Sequence, residues 1–217
     1  SVHGNPKVAF CLAHTDPTGH WTSGIEHIHT TTSSFTDTDG DKVKQAAYGA
    51  AGWDRNYYLN FWVCNLGGGL LGYSTFPGTG SAWQDGCVIL YNAFGTTGNV
   101  AAPYNKGRTV THEVGHWFGL RHIWGDDGTS CSGTDYITDT PNQADENYGC
   151  PNFATNSSCG NQGDMSMNYM DYTDDACMYM FTAGQATKIN SCLGSTRHTI
   201  ATSTKCNVPA RDRKSVV

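Results

Sequence analysis

Apolar residues along this chain gather in short runs between turn-forming stretches, and their period changes once. Val8–Ala13 (VAFCLA) reads as a short buried strand, and Gly24–Thr32 (GIEHIHTTT) alternates in part, as a strand does. Tyr58–Leu66 (YLNFWVCNL) carries the strongest strand signal. Gly67-Gly68-Gly69 breaks it, Leu70–Thr75 (LLGYST) resumes as another strand, and a further one, Val88–Tyr91, follows Asp85-Gly86. Around Arg108–Phe118 the period lengthens to that of a helix. Val110, Val114, Trp117 and Phe118 fall on one side and His112 and His116 on the other. From Gly125 to Asp175 periodicity nearly vanishes. Thr182-x-x-Gln185 then reads as a capping box opening a last helix, with Ile189 and Leu193 on its buried side and Gly194 at its end. The tail from Thr202 is polar, carries a basic ARDRK run and reads as mobile. This order predicts an α+β fold. Residues 1–122 form a sheet-and-helix part, 123–201 a loop-rich part closed by the final helix, and 202–217 the tail.

The helix carries the candidate chemistry. Residues 112–122 read HEVGHWFGLRH, so His112 and His116 lie one turn apart on one face, at roughly 100° per residue. Glu113 can reach a water there without being a ligand. Gly119 can take a positive φ, end the helix and let the chain return His122 as a third nitrogen ligand. Three histidines and one open position describe a catalytic zinc, because structural sites usually close all four positions with protein ligands. Chance would produce the HExxHxxGxxH pattern only about 10⁻⁵ to 10⁻⁴ times in a chain of this length, so a surface helix that happens to carry histidines is set aside.

Bulk properties narrow the rest. A length of 217 residues suffices for a real core, and a net charge of −6 argues against a nucleic-acid partner, which needs a basic face. No apolar run approaches the roughly 18–20 residues of a membrane span. Ser1 opens a polar stretch with no signal peptide, so the chain reads as a processed or trimmed form. Nine cysteines suggest an oxidising compartment, hence a secreted protein, and the Asn156-Ser157-Ser158 sequon is compatible with that. Cys131, Cys150, Cys159 and Cys177 can form two staples in the loop-rich stretch. Cys11, Cys64 and Cys87 sit in apolar runs, as buried thiols or strand-to-strand bridges, and the pairing of Cys192 and Cys206 stays open. No CxxC spacing supports zinc ligation by cysteine. His27 and His29 read as polar strand positions rather than a second metal site, and Asp37, Asp39 and Asp41 as a solvated turn rather than an EF-hand lacking its distal Glu. Asp126, Asp127, Asp135, Asp139 and Asp145 offer hard oxygen ligands suited to calcium, and read equally as surface carboxylates.

The motif at 112–122 together with Asn168-Tyr169-Met170-Asp171-Tyr172 resembles the metzincin zinc endopeptidases. THEVGHWFGLRHIWGD, ITDTPNQ, NYGCP and MNYMDYTDDACMYMFTAGQ resemble, more narrowly, the pappalysin/cytophagalysin (ulilysin-like, M43) family, over about Val8 to Gln185. The resemblance implies a metzincin-like catalytic domain with a twisted mixed sheet and an active-site helix. It also implies secretion, protein or peptide substrates and a monomer. Met170 would floor the site, Tyr172 would reach the substrate oxyanion, and the loop cysteines would pair as Cys131–Cys159 and Cys150–Cys177. Calcium in the loop region becomes more expected. Leu70–Thr75, with Leu70, Gly72 and Tyr73, would be the edge strand that seats an extended peptide. Two departures stand out. Family domains carry another strand and a long helix ahead of the segment matching Val8–Ala13. Some relatives place an acidic residue where this chain has Ala176, which leaves their preference for a basic residue after the scissile bond in doubt. The expected function is hydrolysis of peptide bonds with Glu113 as general base and acid. The competing readings are an impaired binding or inhibitory protein of the same fold and a zinc amidase acting on a small substrate.

Overall fold

The computed structural model describes residues 3–209 and is built on a three-stranded mixed sheet. Its central strand, β4 (Cys87–Leu90), runs parallel to β2 (Phe61–Cys64) and antiparallel to β3 (Gly72–Ser74). A central strand covered on both faces needs apolar side chains at successive positions, and Cys87, Val88 and Ile89 are fully buried. Alternation divides them. Cys87 and Ile89 join Trp117, Phe118, Leu120 and Met170 in one core cluster, while Val88 joins Phe35, Val43, Trp62 and Leu66 in another. Gly68 and Gly69, at φ +73° and +79°, make the turn from β2 to β3 with a backbone that side chains disfavour. That turn leaves β3 on the sheet edge.

Helix α1 (Arg108–Trp117) packs against β3 and β4. Behind it, α2 (Ala183–Gly194) begins with the expected capping box: Thr182 Oγ1 accepts from the Gln185 amide at 3.1 Å, and the Thr182 amide donates to Gln185 Oε1 at 2.9 Å. Two short strands, β1 (His3–Gly4) and β5 (Phe181–Thr182), pair antiparallel just before α2, and α3 (His198–Ala201) follows it. Trp117 and Phe118 are buried as their helical face requires, but Val110 and Val114 are only half-buried. They line a groove of about 500 Å³ shared with Phe10, Phe61 and Phe181.

Three expectations change. Val8–Ala13 is neither strand nor buried: Phe10 is 60% and Leu12 55% exposed. An extended segment becomes a strand only where a neighbour takes up its backbone groups, and here a Cys11–Cys206 disulfide and packing of Phe10 on Phe118 hold it instead. Gly24–Thr32 likewise makes no ladder, and His27 and His29 are exposed. The tail is anchored at residues 205–207, because Cys206 is bridged, the Lys205 carbonyl accepts from the amides of His14 and Thr15, and the Asn207 carbonyl accepts from the Thr15 hydroxyl. The ARDRK run lies outside the described residues.

The stretch 125–175 contains one short turn of 3-10 helix, Phe153–Thr155, among the described residues. Disulfides Cys131–Cys159 and Cys150–Cys177 staple it. Buried carboxylates supply the remaining order. Asp171 accepts from the Asn147 amide, Asn147 Nδ2 and Gln143 Nε2, and Asp164 accepts from the amide and hydroxyl of Ser158. Each satisfies a backbone amide that a ladder would otherwise pair, together with side-chain donors. Among the described residues no helix is long and apolar enough to cross a membrane.

Candidate active site

Helix α1 starts at Gly107, whose φ of +73° lets the chain turn sharply into the first turn. The buried Asp175 carboxylate accepts from the amides of Lys106 (2.6 Å) and Arg108 (3.2 Å), satisfying donors at the helix start. At the other end Gly119, at φ +89°, stops the helix and returns the chain. His112, His116 and His122 thereby converge. The Nε2 atom of His122 lies 3.2 Å from that of His112 and 3.0 Å from that of His116.

Each ring is fixed by its other nitrogen. His112 Nδ1 donates to the Tyr169 carbonyl at 2.7 Å and His116 Nδ1 to the Leu120 carbonyl at 2.8 Å. His122 Nδ1 pairs with Asp126 Oδ1 at 2.6 Å. A carbonyl can only accept, so in the neutral rings the Nδ1 atoms carry the protons and the Nε2 lone pairs point at one another. Three converging lone pairs repel unless a cation lies between them, and an outward bond from each Nδ1 is the usual companion of a metal-binding histidine. The donor set therefore fits zinc. Burial, then the neighbouring histidines, holds His112 well below the ordinary imidazole range, and burial and His122 push His116 down to about 4. Both are thus in the neutral, ligating form. Burial alone would raise Asp126, yet its hydrogen bond to His122 holds it below the usual carboxylate value. Trp124 stacks on His122 with ring centroids 4.3 Å apart.

Met170 is fully buried against α1. Gly115 faces it, and any Cβ there would collide with the Met170 sulfur. The turn is held from α2, since the Met170 amide donates to Asn168 Oδ1 at 2.9 Å while the Asn168 and Gln185 side-chain amides bond each other reciprocally.

Glu113 is buried between α1 and the edge strand. Burial pushes its carboxyl up to about 8, and a 2.8 Å hydrogen bond donated by Ser74 Oγ to Oε2 acts in the other direction. Gly72, on the same strand face, lets the carboxylate approach: a Cβ there would sit 2.8 Å from Glu113 Cγ. Tyr172 stands over the histidines, its ring centroid 5.5 Å from His112 and 4.9 Å from His122, and burial raises its phenol. Tyr73 points to the opposite strand face, where its hydroxyl donates to Asp41 at 2.9 Å, and Leu70 packs beside the cluster around Trp62. Asp41 is thus part of a half-buried network with Lys44 and Gln84, where a solvated turn was expected.

No three of the five aspartates offered for calcium bring their carboxylate oxygens into common reach, although Asp139 lies near enough to Asp135 to act on its charge. Asp126 serves His122, Asp127 accepts from Ser132, and Asp135 from Thr140. Asp139 accepts from the Gly184 amide, and Asp145 from the Glu146 amide. Among the described residues the three histidines are the one group of three or more His, Cys, Asp or Glu with ligand atoms in common reach. Ala176 is exposed beside Asp175 and Cys177. Cys64, Cys87 and Cys192 are free thiols. Sequence reasoning missed Ser74 and Asp175 and gave Asp126 another role. Position in the chain held no signal for the first two, whereas Asp126, four residues after His122, lay within reach of a local reading.

A family model described as "Pregnancy-associated plasma protein-A", the M43 peptidases, matches residues 37–194. Extracellular metalloproteases of Podospora anserina and Coccidioides posadasii are 45% and 43% identical over 141 and 140 residues, each covering 61% of this chain. Those stretches are 46% and 48% of the relatives, so the chain spans about half the length of the curated relatives it matches. Among solved structures, mature mirolysin of Tannerella forsythia in complex with a cleaved peptide superposes with a TM-score of 0.90 at 48% identity. The match covers 96% of this chain and 79% of that one. Mirolysin in complex with a small compound gives 0.89 at 47%, with the same coverage. The fold is that of a metzincin catalytic domain, α+β with a mixed sheet and an active-site helix, and the chain belongs to the M43, or pappalysin, family of peptidases.

Proposed function

We propose that this chain is the catalytic part of a secreted zinc endopeptidase that hydrolyses peptide bonds in proteins. One observation carries the reading: three inward-facing Nε2 lone pairs stand beside a buried carboxylate that is itself tied to an edge strand. His112, His116 and His122 would hold the metal, and zinc bound there would polarise a carbonyl and lower the pKa of water toward ~7. Glu113 takes the proton of the attacking water and hands it to the leaving amine, a role suited to a carboxyl whose burial favours the protonated form. The Tyr172 hydroxyl would share the developing negative charge, a role supported by its ring standing 5.5 Å from His112 and 4.9 Å from His122. The outer edge of β3 seats the peptide as an added strand between residues 1–122 and 123–201, with Ala176 near the subsite that follows the scissile bond.

Secretion rests on three disulfides and on relatives named as extracellular metalloproteases. A monomeric state is part of the proposal. Calcium is proposed near Asp135 and Asp139, where Asp139 Oδ1 is buried without a hydrogen-bond partner. An inhibitory protein has no need of the Glu113–Ser74 arrangement, and a small-substrate amidase has no need of an open strand edge.

The test is incubation with a denatured protein. Cleavage that a zinc chelator abolishes and added zinc restores supports the reading, and Glu113→Gln should retain zinc while losing most turnover. No cleavage of any denatured protein by the zinc-loaded chain would overturn it.

A further inference from the structure

Resting on the peptidase reading, we propose that Ser74 is a positioning residue for Glu113, fixing the carboxylate of the base to the strand that seats the substrate. Glu113 lies beside two β3 residues on one face of that strand. Gly72 leaves room for its methylenes and Ser74 donates to Oε2 at 2.8 Å. A carboxylate in a buried pocket can otherwise rotate about its terminal torsion, which is broad and only loosely staggered. The Ser74 bond chooses one orientation and leaves Oε1 as the oxygen free to accept a proton.

The serine is itself constrained. Its register partner on β4 is Cys87, a fully buried thiol. Burial raises the Cys87 thiol and keeps it protonated, so it places no charge beside the Ser74–Glu113 bond. On the far face of the strand Tyr73 is tied to Asp41, and Lys44 lies 5.0 Å over its ring. The strand is therefore held on both faces, and the distance between the seated peptide and the base is set by one hydrogen bond.

Ser74→Ala should lower kcat about 10- to 100-fold, the range implied by losing a hydrogen bond to a charged group. KM and zinc content should be unchanged. The shape-matched pair Ser74→Thr and Ser74→Val tests the hydroxyl alone: threonine should retain turnover and valine should not. In a Glu113→Gln background Ser74→Ala should have no further effect, because two residues acting through one group are not additive. Wild-type kcat in Ser74→Ala, equal loss in the threonine and valine variants, or additivity with Glu113→Gln overturns the proposal while leaving the peptidase reading intact. An inactive zinc-loaded wild-type chain overturns both.

Discussion

The Arg197 guanidinium lies 3.6 Å over the Trp117 ring and donates through Nε to the Trp117 carbonyl at 2.8 Å, closing the C-terminal end of the active-site helix. Asp85 completes the arrangement. It accepts from Arg197 Nη1 at 2.9 Å and from the Trp117 indole at 2.8 Å, all three residues being buried. Arg197→Met would leave buried Asp85 with the Trp117 indole and, at 3.8 Å, the partly exposed Arg55 guanidinium in place of its closest ion pair. Breaking one side of a buried pair typically costs about 3–5 kcal/mol. Thermal unfolding should show a large fall in Tm, and a fall of only a degree or two would mean that the pair contributes little.

Gly115→Ala tests the closeness of helix and Met-turn. On an ordinary helix this change stabilises by about 0.8–1.0 kcal/mol. Here the new methyl would meet the Met170 sulfur, so the sign reverses, with overpacking costing roughly 1–3 kcal/mol. Denaturant unfolding measures it directly, and a stabilised variant would show that Met170 moves aside freely.

Asp126→Ala addresses the outward partner of His122. Losing the 2.6 Å bond frees the ring to choose the wrong tautomer, and removing such a partner typically lowers metal affinity about 10- to 100-fold. Titration against a competing zinc chelator reads this without reference to turnover. Equal affinity in the variant would assign Asp126 no part in holding the ring.

The candidate metal site was legible because its geometry is local: His112, Glu113, His116, Gly119 and His122 lie within eleven residues, and helical periodicity places them. The capping box at Thr182–Gln185 and the strands around Phe61–Cys64 and Cys87–Leu90 were readable for the same reason. Features joined across the chain were not. Cys11 and Cys206 are 195 residues apart, and Ser74 meets Glu113 only because β3 and α1 pack together. Val8–Ala13 has a strand's apolar pattern, but pattern cannot say whether a neighbouring strand exists to pair with it. Asp126 showed only a carboxylate, and calcium and histidine compete for carboxylates on equal terms in sequence.

Asp135 makes stability depend on pH in a direction opposite to that of most carboxylates. Burial raises it to about 6 from 3.8, although the Ile137 amide and the Thr140 hydroxyl, both donating to it at 2.9 Å, act against the rise. The native state thus binds this proton more tightly than the unfolded chain. Its contribution is fully present below about 3.8 and is lost as pH rises through about 6, so in calcium-free buffer the group opposes folding at neutral pH. Asp135→Asn keeps an acceptor for both donors without the charge. It should raise Tm at pH 7, by an amount on the order of 1–3 kcal/mol in stability, and have little effect at pH 4. Tm measured from pH 4 to 8 for both proteins checks this. Parallel curves would show that Asp135 is ionised with no penalty, and a wild-type chain that gains the same stability from added calcium at pH 7 would identify the cation that normally offsets the buried charge.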